Sequence, residues 1–129
     1  NLWDCSKAKT LLIYDSSSAN ESYLSRIPKC VEVEKVSSDN PELISKILAK
    51  RGCNKVLWEC GPRLATAAIQ SSCIQEIITF IAPKILGGEN NMNPLGDFEF
   101  KEMNEILKLS NPQFSLIGND ICIKSSFKN

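Results

Sequence analysis

Val56-Leu57-Trp58-Glu59-Cys60-Gly61-Pro62-Arg63-Leu64-Ala65, followed by the apolar run from Ile77 to Ala82 and then by Pro83-Lys84-Ile85-Leu86-Gly87-Gly88, decides how the rest of the chain is read. The order is strand, glycine turn, helix, strand and loop. A buried strand that ends in a carboxylate and passes through Gly-Pro into a helix aims unpaired backbone N–H groups at whatever lies above the sheet, usually an anion. The stretch therefore describes a binding edge with a carboxylate beside it.

Upstream, Lys9 to Tyr14 is a short apolar run ended by Asp15-Ser16-Ser17-Ser18, a buried strand leaving into a polar loop. Tyr23 to Ile27 gives at most one helical turn before Pro28, and Val31, Val33 and Val36 predict a second strand, an edge one given Glu32, Glu34 and Lys35. Asn40-Pro41-Glu42 supplies an N-cap, a proline at the first helical position and a first-turn acid. Leu43, Ile44, Ile47 and Leu48 then share one face, and Lys50, Arg51 and Gly52 close the helix. Lys55 to Glu59 reads as the next strand, and Pro62 to about Ser72 as the next helix. Glu76 to Ala82 has the β-branched and aromatic pattern of a central strand covered on both faces. Strand alternating with helix argues a parallel α/β sheet with right-handed crossovers.

Beyond Gly88 the pattern changes. Glu89 to Glu99 reads as a long loop, and Phe100 to Asn104 as a turn of helix. Ile106 to Ser110 and Phe114 to Ile117 read as one strand broken at Pro112. Gly118-Asn119-Asp120 then turns the chain into Ile121 to Lys124, a terminal antiparallel hairpin.

The 129 residues suit one domain spanning residues 1–129, with one core. Residue 1 is Asn and the first strand begins only at about Lys9, so the chain is expected to begin inside a longer polypeptide. A composition 43% hydrophobic and 23% charged is that of a soluble globular domain. Fifteen Lys and Arg balance fifteen Asp and Glu, and no basic run is interleaved with aromatics, so neither nucleic acid nor another polyanion is the expected partner. No stretch is long enough to span a bilayer, and residues 1–20 lack the charged and apolar regions of a secretory signal, so cytoplasmic residence is expected. The six cysteines are spread singly and histidine is absent, which argues against a metal site, excludes Ser-His and Cys-His nucleophiles, and favours reduced thiols.

Among the residues that could carry chemistry, Glu59 sits where an α/β sheet opens on its ligand crevice. The alternative is a carboxylate that merely caps the helix starting at Pro62. Gly61-Pro62-Arg63 offers a dipole end, unpaired N–H groups and a guanidinium, all suited to phosphate, yet an ordinary tight turn also uses glycine and proline. Asp15-Ser16-Ser17-Ser18 reads either as hydroxyls for a nucleotide or as a solvated loop. Gly87-Gly88 permits a tight backbone path, and Cys60 reads first as a small residue in a crowded turn. No G-x-G-x-x-G fingerprint supports a Rossmann dinucleotide site.

Leu57-Trp58-Glu59-Cys60-Gly61-Pro62-Arg63-Leu64-Ala65-Thr66-Ala67, together with Gln75-Glu76 and Ile81-Ala82-Pro83-Lys84-Ile85-Leu86-Gly87-Gly88, closely resembles the C-terminal reductase domain of the bifunctional riboflavin-biosynthesis deaminase/reductase. The likeness runs from about Lys9 to the terminal hairpin, and the W-E-C-G-P wording looks like the cyanobacterial and plant branch. The resemblance implies a three-layer α/β/α, dihydrofolate-reductase-like fold, with a mostly parallel sheet and a C-terminal antiparallel hairpin. It implies NADPH-dependent reduction of 5-amino-6-(5-phosphoribosylamino)uracil to the ribitylamino form, with a small-molecule substrate and a homodimer. By position Glu59 matches a substrate-contacting glutamate. Gly61, Pro62, Arg63, Leu64, Ala65, Thr66 and Ala67 match the turn and helix start that hold the cofactor's phosphates, and Ser16 matches a cofactor-side polar position.

The chain departs from the family in two places. Cys60 stands where the family often has Gly or Ala, and nothing before Lys9 matches the family's N-terminal strand and its substrate-side residues. Weak or no activity is expected from these 129 residues alone. A missing central strand would expose a sheet edge and favour pairing between copies. The reading from a different class is a non-catalytic nucleotide-binding or dimerising α/β module that kept the scaffold and lost the chemistry.

Overall fold

Strand β1 (Leu11–Asp15) takes the first apolar run, and strand β2 (Glu32–Val36) lies parallel to it, with Leu11 opposite Glu32 and Asp15 opposite Val36. Between them helix α1 (Glu21–Leu24) begins two residues earlier than the sequence suggests, because the Asn20 side chain accepts the Ser22 N–H at 3.0 Å and caps it there. These elements come from a computed structural model that describes residues 3–17, 19–87 and 93–127. Two compact units, Asn1–Lys55 and Val56–Asn129, make up the chain.

Helix α2 (Pro41–Lys50) forms where its local signals put it. The Asn40 side chain accepts the Glu42 N–H at 2.8 Å, Pro41 occupies the first turn, and Lys46 reaches Glu42 one turn away at 2.6 Å. The carbonyls of its last turn take the N–H groups of Gly52 and Cys53, which ends the helix. The apolar stripe of Leu43, Ile44, Ile47 and Leu48 is half-buried, and Val31 and Val36 are buried.

Arg51, at the end of α2, reaches back to β2. Its guanidinium donates to Glu32 and, at 2.9 Å, to Glu34, two side chains that the strand's two-residue period places on one face. The hydrogen bond from Arg51, then its charge, holds the Glu32 carboxyl below the usual carboxylate range. A depressed acid contributes stability above its unfolded pKa of about 4.3 and loses it as pH falls through the folded value. The thermal midpoint of Arg51→Met is therefore expected to lie below that of the parent chain at neutral pH. The gap should close as pH drops below about 4 and narrow in high salt. A gap that is constant with pH would show that the arginine acts through its alkyl packing alone.

In the second unit, helix α3 (Pro62–Gln70) precedes strand β3 (Glu76–Ile81), and strands β4 (Leu109–Ile117) and β5 (Asp120–Phe127) form the expected terminal hairpin around Gly118-Asn119. The sheet order is β3-β5-β4, antiparallel throughout. The chain is thus α/β, with a parallel pair in β1–β2 and an antiparallel three-stranded sheet at the C-terminal end. β4 runs through Pro112 instead of stopping there. Asn111 takes a left-handed φ of 52°, and the register shifts between Ser110 and Gln113 to accommodate a residue with no N–H to give. Phe100 to Asn104 gives a single 3-10 turn at Met103–Glu105, shifted toward Glu105, whose carboxylate takes the Lys101 N–H at 2.8 Å.

Two expectations fail here, for the same reason. Lys55 to Glu59 is not a strand: among the described residues nothing pairs with its backbone, and Val56 and Leu57 are exposed, Leu57 at 79%. β3 is not a central strand covered on both faces. Among the described residues it pairs only with β5, and Ile78, Phe80 and Ile81 are all exposed. Apolar β-branched runs report a segment's affinity for a sheet, whereas strand status and burial depend on neighbours. Among the described residues of this unit, Ala68, with no exposure at all, Thr66, Cys122 and Ser125 are buried.

Candidate functional site

Gly61 caps α3 with extended backbone, φ −71° and ψ 169°, and offers no side chain to the helix. Pro62 has no N–H to satisfy, and the Ala65 N–H is taken by the Gly61 carbonyl at 3.0 Å. The N–H groups of Arg63 and Leu64 meet no acceptor among the described residues. Two open donors at the positive end of a helix dipole form an anion-binding arrangement.

The turn itself does not require glycine. A φ of −71° is open to any residue, and a Cβ added at Gly61 would meet nothing within 4 Å. The tight-turn explanation for Gly61 is thereby removed, and the space a side chain would take there is open. The capping explanation for Glu59 fails too: no side chain caps α3, and the Glu59 side chain is exposed with no hydrogen-bond partner among the described residues.

One side of α3 lines a concavity of about 480 Å³, with Pro62, Arg63, Thr66, Ala67 and Gln70 on the helix and Gly96-Asp97 opposite. Its wall is fastened by Thr66, whose hydroxyl oxygen accepts the Gly96 N–H at 2.8 Å while the Pro62 carbonyl takes a longer share of the same N–H at 3.4 Å. A Cβ on residue 96 would come within 3.2 Å of that oxygen, so the loop approaches the helix this closely only because it carries glycine there. Arg63 is exposed and makes no ion pair among the described residues.

Of the residues singled out from the sequence, the structure gathers Pro62, Arg63, Thr66 and Ala67 on the concavity. It places Gly61 and the Leu64 N–H at the helix start above, and sets Glu59 two residues before. Leu64 and Ala65 have half-buried side chains, and the Ala65 N–H is already spoken for. Ser16 lies in the first unit, exposed, its N–H extending the ladder to the Val36 carbonyl at 3.0 Å. Beside it the Ser17 N–H closes a turn on the Asp15 carboxylate, and Ser18 falls outside the described residues. Gly87 takes a left-handed φ of 63°, as a tight backbone path requires, while Gly88 lies outside the described residues. All six cysteines are free, and no helix among the described residues is long and apolar enough to cross a membrane. Gln70, Gly96 and Asp97 were missed by the sequence reading. The glycine within Pro94-Leu95-Gly96-Asp97 was the available signal, but nothing in the sequence ties it to Thr66.

The family model described as RibD C-terminal domain matches residues 1–123. The chloroplastic riboflavin biosynthesis protein PYRR of Arabidopsis thaliana is 34% identical over 123 residues, covering 95% of this chain and 20% of the relative. The riboflavin biosynthesis protein RibD of Synechocystis is 37% identical over 121 residues, covering 92% of this chain and 32% of the relative. The chain thus spans a third or less of the length of these two relatives. Among solved structures, Acinetobacter baumannii RibD superimposes with a TM-score of 0.70 at 18% identity, over 94% of this chain and 38% of that one. The Thermotoga maritima diaminohydroxyphosphoribosylaminopyrimidine deaminase/5-amino-6-(5-phosphoribosylamino)uracil reductase does so with a TM-score of 0.64 at 21% identity, over 98% and 33%. These structural likenesses speak for the fold, and the family model speaks for descent: the chain belongs to the RibD C-terminal domain family.

Proposed function

We propose that this chain is the cofactor-holding part of an NADPH-dependent reductase that converts 5-amino-6-(5-phosphoribosylamino)uracil to its ribitylamino form in riboflavin biosynthesis. The observation that carries the reading is the open start of α3, where the Arg63 and Leu64 N–H groups lie free beneath a Gly61 that local geometry does not need. These residues fit the cofactor the family implies. The two N–H groups and the helix dipole hold a phosphate, and the absent Cβ at Gly61 lets it approach the backbone. The Arg63 guanidinium supplies a charge for the 2′-phosphate that separates NADPH from NADH. When bound, the nicotinamide supplies a hydride. The chain's own work is binding and orientation, with the uncommitted Glu59 carboxylate accepting from hydroxyl or amino groups of the small-molecule substrate.

Cytoplasmic residence and a homodimer belong to the same reading. Six free thiols suit a reducing compartment. The apolar side chains exposed along β3, a strand with one ladder partner among the described residues, suit a partner surface. The same exposure supports the dimerising form of the rival reading, a non-catalytic nucleotide-binding or dimerising α/β module.

Calorimetric titration of the chain with NADPH and with NADH separates the reductase reading from the dimerising one. The reductase reading expects NADPH to bind more tightly, and Arg63→Ala to lower NADPH affinity about tenfold while leaving NADH unchanged. A folded chain that takes up neither nucleotide would leave the dimerising module. An Arg63→Ala variant with unchanged preference would remove Arg63 from the 2′-phosphate.

A further inference from the structure

The segment ahead of β1 carries a feature that nucleotide binding does not use. Cys5 and Cys30 both direct their thiols at one acceptor, the Trp3 carbonyl oxygen, at 3.7 and 3.9 Å. Cys5 is half-buried and Cys30 exposed, and both are free. The two thiols, from segments on either side of β1, share one acceptor, and the Cys30 thiol is in hydrogen-bonding reach of the Cys5 thiol. The Cys30 thiol beside it, then burial, pushes the Cys5 thiol up. None of the other four cysteines shares an acceptor with a second thiol among the described residues.

We infer that Cys5 and Cys30 form a reversible redox pair, a modification site that closes as an intramolecular disulfide by exchange with a low-molecular-weight disulfide. Exposure makes Cys30 the entry point. It gives its proton to solvent, and its thiolate attacks one sulfur of the small disulfide, breaking that S–S bond and releasing one small thiolate, which takes up a proton. Cys5 then loses its proton to solvent and attacks the mixed disulfide at the Cys30 sulfur. The Cys5–Cys30 bond forms, and the second small thiolate leaves and is protonated. The two protein sulfurs are oxidised by two electrons, and the small disulfide is reduced to two thiols. The bond ties the segment ahead of β1 to the residues leading into β2. The loop it closes contains the whole of β1 and the turn that carries Ser16.

The test is incubation of the chain with excess oxidised glutathione, followed by alkylation under denaturing conditions, intact mass measurement and peptide mapping. The expected product is lighter than the reduced chain by two hydrogens before alkylation. It has lost two of its six alkylatable thiols, maps to a Cys5–Cys30 peptide, and is restored by dithiothreitol. Cys5→Ser is expected to stop at a glutathione adduct on Cys30, since the resolving thiol is gone. A stable adduct on Cys30 in the unsubstituted chain, a map joining any other pair, or six thiols remaining would each overturn the inference. None of these readouts depends on nucleotide binding.

Discussion

Gly61→Val is expected to remove NADPH binding, lowering affinity at least about a hundredfold, while leaving the fold intact. The loss follows from crowding above two free donors. Among the described residues the Arg63 and Leu64 N–H groups at the α3 start meet no acceptor, and a branched side chain at residue 61 is expected to crowd a phosphate approaching them. Hydrogen bonds to a charged group are worth roughly 1.5–3 kcal/mol each. Losing both amounts to about 3 kcal/mol or more, which is the hundredfold. The fold is spared because φ at residue 61 is −71° and a Cβ there meets nothing within 4 Å. The substitution thus separates ligand approach from stability, a separation rarely available at a turn glycine. Calorimetry with NADPH, beside far-UV circular dichroism and a melting curve, reads both. An intermediate loss for Gly61→Ala would follow the same logic. Affinity within threefold of the parent chain for Gly61→Val would show that the phosphate does not pass over this residue.

The division between what the sequence disclosed and what it withheld follows the range of the interactions involved. Helix α2 was legible because Asn40, Pro41, Glu42, Lys46 and Gly52 act within a few residues of one another. The hairpin at Gly118-Asn119 was legible for the same reason. The strand-like run Lys55 to Glu59 was legible in its apolarity and not in its pairing, because a ladder needs a partner that the run itself does not encode. β3 was recognised as a strand but misplaced, since a buried central strand and an exposed edge can carry the same β-branched residues. At the site, sequence left Gly61 divided between turn geometry and ligand approach, and Glu59 between cap and substrate contact. Backbone angles and an uncapped helix start remove the first member of each pair. The opposite wall of the concavity was beyond reach, because Thr66 and Gly96 lie 30 residues apart with β3 between them and no periodic relation.

That wall gives the second large effect: Thr66→Val is expected to destabilise the chain by about 1–3 kcal/mol and to free the loop at Gly96. Thr66 is only 7% exposed, and its hydroxyl oxygen is the short-range acceptor for the Gly96 N–H, at 2.8 Å. Valine keeps the shape and removes the acceptor, so the N–H is left with the Pro62 carbonyl at 3.4 Å, too long to replace what was lost. Thr66→Ser keeps the oxygen and loses only a methyl group. Of the two variants, serine should hold the Gly96 amide protected in hydrogen exchange, and valine should release it. The concavity beside α3 exists only while Gly96-Asp97 stands against the helix, so valine should also weaken NADPH binding without touching the free N–H groups at the helix start. Combining Thr66→Val with Gly61→Ala then separates the two contributions. If the loop merely borders the site, their effects on affinity add; if it sets the position of the phosphate, the double variant loses less than the sum. Unchanged exchange at Gly96 in Thr66→Val would show that the hydroxyl does not hold the loop, and the wall would have to be assigned to the Pro62 carbonyl instead.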